Sequence, residues 1–152
     1  FVFKVVPRFA PNQKRKKITY VELFPESLIV KLPREVSTCV KESTRCFNFA
    51  CYIASSILLR KVVEVATKIR VRQEGKGNRL VDKEGYELTL PKMLALAAEI
   101  FPAIRRNIRD IETVKWFGDI GAHDENTPIF ARDINDNVAP KVRAYLSNLG
   151  LK

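Results

Sequence analysis

His123 is the single histidine of this chain, and it closes a short run, Lys115-Trp116-Phe117-Gly118-Asp119-Ile120-Gly121-Ala122-His123-Asp124, that is rich in groups able to do chemistry. A neutral imidazole near pH 7 passes a proton in either direction. Set in a cleft, it serves as a general acid or base, with Lys115, Asp119 and Asp124 as cationic and anionic company. Gly118 and Gly121 let a backbone or a phosphate approach closely. The plainer reading is a histidine that caps a helix end or packs half-buried there.

The elements that must position this run are helical. Pro33 with Glu35 behind it marks a helix start, and the helix is expected to run to about Cys46. Asn48 is expected to cap a second helix, in which Ala50, Ile53, Ala54, Ile57, Leu58, Val62, Val65 and Ile69 follow three-and-four spacing. This helix is the longest and central, with Arg60, Glu64 and Lys68 four apart on a second stripe where opposite charges support one another. Gln73 to Gly85 holds three glycines and reads as a loop with a turn at Glu84-Gly85.

Thr89 and Pro91 start a shorter third helix that ends before Pro102, and Pro102 starts a fourth. Ile104, Ile108, Ile111 and Val114 form the buried stripe of the fourth, with Arg105, Arg106, Arg109 and Asp110 outside. Gly118 and Gly121 are expected to loosen its end. Ile134, Val138, Val142, Tyr145, Leu146 and Leu149 predict a last helix, kinked or restarted at Pro140. Phe1 to Val6 and Ile18 to Leu23 read as strand-like pieces. The expected fold is all-α, a bundle of four to five helices over residues 32–152, with residues 1–31 as a basic arm or small β hairpin.

Charge is unevenly placed along the 152 residues. Residues 1–80 carry 17 Lys and Arg against 6 Asp and Glu, or +11, while residues 81–152 carry 10 against 11, or −1. The densest cluster, Lys14-Arg15-Lys16-Lys17, attracts a polyanion through counterion release, or else forms a solvated surface. Cys39, Cys46 and Cys51 form no CxxC pair, so the spacing gives no zinc site, and buried thiols of a cytoplasmic protein account for them. No apolar run is long enough to span a membrane. No Gly-rich phosphate loop, dinucleotide fingerprint or HExxH is present, so no cofactor is expected.

The order Leu32-Pro33, Lys41-Glu42, Cys46, then Ala54 to Glu64, then Lys115 to His123 resembles the HEPN superfamily (higher eukaryotes and prokaryotes nucleotide-binding). The likeness covers roughly residues 30–150. Its nearest branch is a prokaryotic domain of unknown function found beside restriction and defence genes. The resemblance implies an all-α homodimer that brings two copies of a polar motif together. In active members an Arg and a His with four to six residues between them cleave RNA without a metal. In the nearest branch the Arg stands eight before the His with Gly-Asn between them. Lys115, Gly118 and Asp119 occupy those places here, so the bidentate Arg fork is replaced by Lys, and a carboxylate stands where an amide is expected.

Three readings follow. In the first, the chain is a binding module for RNA, a nucleotide or a partner protein from a defence or toxin–antitoxin system. In the second, it is a metal-independent ribonuclease with His123 as proton shuttle and Lys115 or Arg60 stabilising the phosphate, Arg60 being otherwise an ion-pair partner of Glu64. In the third, it is a structural dimerisation domain.

Overall fold

Proline placement and apolar spacing dictate helices over most of this chain, and the computed structural model, which describes residues 19–124 and 126–151, is built on them. Among the described residues there are six α-helices: α1 (Glu26–Ile29), α2 (Arg34–Asn48), α3 (Tyr52–Gln73), α4 (Leu90–Ile100), α5 (Ile108–His123) and α6 (Ala139–Leu149). Short 3₁₀ turns at Gly77–Leu80 and Pro102–Asn107 precede α4 and α5, and a π-helical segment, Asp133–Val138, runs directly into α6. The fold is an all-α bundle. Within the described residues β pairing is limited to one isolated bridge between Val81 and Glu87.

α3 lies at the centre, against α2, α4, α5 and α6. This position explains its broad buried surface, which includes Leu59, Val62, Val63, Ala66 and Val71 together with Ser55, Ser56 and Thr67. Buried hydroxyls need partners, and these have them. Ser55 Oγ donates to the Ser43 carbonyl at 3.0 Å, with the two hydroxyls 3.0 Å apart, so α2 and α3 are joined by a small polar clasp. On the far side the Thr67 hydroxyl lies 2.7 Å from the Tyr145 hydroxyl of α6.

Tyr145 is fully buried, and burial pushes its phenol well above the ordinary tyrosine range, with the Thr67 hydrogen bond pulling weakly the other way. A folded-state pKa above the unfolded value makes its contribution constant below about pH 10 and progressively lost above it, by up to about 1.4 kcal/mol per pH unit. Tyr145→Phe is therefore expected to cost about 1 kcal/mol near neutrality, for the lost hydrogen bond. Urea unfolding across the alkaline range checks this, since wild type and variant converge above about pH 10.

Several expectations change in the structure. Asn48 does not cap the long helix but ends α2, where its side chain accepts from Val21 N at 2.8 Å and donates to the Val21 carbonyl at 2.9 Å. Cys51 is the residue before α3. The described part of the expected strand Ile18 to Leu23 is irregular backbone held by that amide, and Leu23 and Phe24 are buried in the core. Phe1 to Val6 and Lys14, Arg15, Lys16 and Lys17 lie outside the described residues.

The α2–α3 turn also carries a backbone feature with no local sequence signal. Ala50 has φ 59°, a left-handed conformation that costs a residue with a Cβ. At the other end, the restart expected at Pro140 takes the form of the π segment, which ends as Pro140 enters the first turn of α6. Proline has no N–H to give there, so a wider turn ahead of it loses no donor.

Candidate functional site

Gly118 and Gly121 do not loosen α5, which continues through both to His123. They are instead the points at which α5 presses on α3. A Cβ on Gly118 would lie 2.6 Å from Arg60 Cδ and 2.7 Å from Arg60 Cβ. One on Gly121 would lie 2.9 Å from Ser56 Oγ and 3.3 Å from the Ile53 carbonyl. The missing side chains thus let two helices approach, at a cost in helix propensity that the contact offsets. Ser56 reinforces the seam, its hydroxyl 2.8 Å from the Ile53 carbonyl and 3.3 Å from that of Phe117.

Laid across Gly118, the aliphatic stem of Arg60 carries its guanidinium to α5. Arg60 Nη2 is 3.4 Å from Asp119 Oδ1, and Lys115 Nζ is 2.5 Å from Asp119 Oδ2. The three side chains are 30%, 34% and 31% exposed for Arg60, Lys115 and Asp119, half-sheltered but open to solvent on one side. Arg60 Nε is buried without a hydrogen-bond partner among the described residues. The expected pairing of Arg60 with Glu64 is not what forms: Glu64 takes Lys68 at 2.7 Å, and Lys68 also holds Glu87 at 2.8 Å. Burial pulls the Lys68 ammonium downward, but its hydrogen bonds to Glu64 and Glu87 prevail and hold its pKa above the ordinary lysine value.

Lys115 stands on the wall between two open clefts. One lies among Arg60, Glu64, Glu87 and Thr89; the other is more apolar and is lined by Pro91, Leu94, Ile108 and Trp116. Trp116 is 55% exposed and meets buried Phe117 edge-on, with ring centroids 4.9 Å apart. Thr89, Pro91 and Glu87 were not singled out by the sequence as site residues. The start of α4 at Thr89-Leu90-Pro91 was legible, but nothing local said that it borders Lys115.

His123 bonds to neither cation among the described residues. It occupies the last turn of α5, exposed, eight residues and so about 12 Å along the axis from Lys115. Among the described residues it makes no hydrogen bond or ion pair, and its sequence neighbours are engaged elsewhere. Asp119 serves Arg60 and Lys115. Asp124 accepts from the Thr127 hydroxyl at 2.6 Å and from the backbone of Asn126 at 2.8 Å and Thr127 at 3.2 Å, bonds that hold its carboxyl below the ordinary aspartate range. The arrangement therefore offers two cations converging on one anion position, beside an apolar cleft with an exposed indole. Comparison with protein-family models, curated proteins and solved structures finds no match for the chain.

Proposed function

We propose that the chain is a HEPN-like binding module that holds a phosphate-bearing ligand, RNA or a nucleotide, along the α3–α5 seam and does little chemistry on it. One observation carries the reading: Asp119 is gripped from two helices, by Arg60 at 3.4 Å and by Lys115 at 2.5 Å. An anionic oxygen displacing that carboxylate meets the same two donors, and charge-assisted bonds of this kind are the strong ones. The exposed Trp116 ring next to Lys115 suits the flat face of a base. The substitutions in the Lys115 to His123 run fit recognition better than cleavage, because a proton shuttle must reach the same phosphate that the cations hold. We read the working form as a homodimer, as the resemblance implies.

Incubating the purified chain and its His123→Ala variant with mixed single-stranded RNA in EDTA tests this. The expected result is RNA retention that falls with added salt, is the same within about twofold in both proteins, and leaves the RNA uncut. EDTA-resistant products ending in 2′,3′-cyclic phosphate, made by wild type and lost in the variant, would overturn it in favour of a ribonuclease.

A further inference from the structure

We propose that Cys46 and Cys51 form a reversible thiol–disulfide pair, a redox modification site at the α2–α3 turn that reacts with small-molecule disulfides. All three cysteines are free thiols. The argument rests on how α2 ends. Cys51 N donates to the Cys46 carbonyl at 2.8 Å, Ala50 N donates to the Phe47 carbonyl at 3.0 Å, and Ala50 is left-handed with φ 59°. This pattern of bonds is a Schellman motif, in which the chain doubles back so that the residue two beyond the C-cap lies over the third residue from the helix end. Those two positions are Cys51 and Cys46.

The hydrogen bond bounds their separation. Standard bond lengths on either side of a 2.8 Å contact place the two α-carbons within about 6.7 Å. Disulfides span about 4.4–6.8 Å between α-carbons, so the separation of Cys46 and Cys51 falls within what a bridge can span. The Cys51 thiol at present donates to the Phe49 carbonyl at 3.7 Å, a weak contact that releases it readily. Cys39 has no such partner. It lies seven residues before Cys46 on one continuous helix, about 10.5 Å along the axis, which is beyond disulfide reach. It is also half-buried, and burial pushes its thiol up, against a smaller opposing pull from Lys61.

Access assigns the order of events. Cys51 is exposed and opens onto a shallow cleft beside Ile53, Pro128 and Ile129, whereas Cys46 is partly covered. The Cys51 thiolate attacks one sulfur of an incoming disulfide RSSR; the S–S bond breaks, RS⁻ leaves and takes up the proton that Cys51 gave to solvent. The Cys46 thiolate then attacks Cys51 Sγ in the mixed disulfide and expels the second RS⁻, which is protonated in turn. The balance is two protein thiols and RSSR giving one protein disulfide and two RSH. The bond closes a ring over residues 46–51 and covalently fixes the turn that Ala50 adopts against its intrinsic preference.

The test is to incubate the full chain with glutathione disulfide under native conditions, block the remaining thiols with iodoacetamide, and read intact mass and peptide map. The expected product is two hydrogens lighter before blocking, carries one alkyl group, on Cys39, links Cys46 to Cys51, and reverts with dithiothreitol. Cys46→Ser removes the resolving thiol, so this variant is expected to accumulate a glutathione adduct on Cys51 at least about tenfold above wild type. A stable adduct on Cys51 in wild type, a bridge involving Cys39, or three alkylated cysteines after treatment would each overturn the proposal.

Discussion

Gly118→Val is expected to lower the stability of the fold by about 3 kcal/mol, at the upper end of what overpacking costs. Even one added carbon at this position meets Arg60 Cβ at 2.7 Å as well as Arg60 Cδ at 2.6 Å. A distal Cδ swings away, but Cβ is fixed by the backbone of α3, so the helices must part. Valine adds two further methyls at the same place. Parting α5 from α3 also strains the Ser56 contact to the Phe117 carbonyl and draws Arg60 off Asp119. For a chain of this size about 3 kcal/mol corresponds to a melting temperature lower by about 6–12 °C, readable by calorimetry. If glycine served here only to end a helix, valine would cost far less, and a shift below about 2 °C would show the seam to be looser than described.

Asp119→Asn is expected to tighten RNA binding by about five- to tenfold. The carboxylate that now accepts from Arg60 and Lys115 competes for the position a phosphate oxygen would take, and an amide removes that charge while keeping size and shape. All three side chains are about one-third exposed, so solvent screens the pairs and the gain stays near 1 kcal/mol rather than several. Filter retention or fluorescence anisotropy at fixed salt reads the change. Weaker binding by Asp119→Asn would mean that Asp119 positions the cations for the ligand instead of competing with it.

What the sequence made legible is what local chemistry decides. Pro33, Pro91, Pro102 and Pro140 lack an N–H, fit only a first helical turn, and each lies at or beside a helix or turn start. The three-and-four spacing from Ile53 to Ile69 marked the central helix but not its buried face: of the apolar residues so spaced only Val62 is buried, Ile53 is exposed, and the buried side runs through Ser55, Ser56, Leu59, Val63, Ala66 and Thr67, where α3 meets its neighbours. The misreadings all involve contacts between distant residues. Glycine is a poor helix former, so Gly118 and Gly121 look like an end until Arg60 and Ser56, about sixty residues earlier, are seen pressed against them.

The same holds for the charged and polar groups. Asn48 has the preference of an N-cap, but the chain spends it on Val21, twenty-seven residues before it. Arg60 has Glu64 one turn away, yet its stem is laid across Gly118 toward Asp119. Of the site, Lys115 and Asp119 were legible as charged members of one run, but as partners of His123, whereas in the structure they pair with each other one turn apart. That His123, on the same stripe, stands a further turn beyond Asp119 depends on α5 remaining helical through two glycines.

The most direct test of the α3–α5 seam as an anion site is the salt dependence of single-stranded RNA binding by wild type and the Arg60→Ala/Lys115→Ala double variant. Each phosphate contact to a single strand contributes about 0.7 to the slope of log K against log salt. The expected result is a slope shallower by about 1.4 in the double variant, with affinity at low salt reduced at least about tenfold. An unchanged slope and affinity would contradict the account and place any RNA contact elsewhere on the molecule.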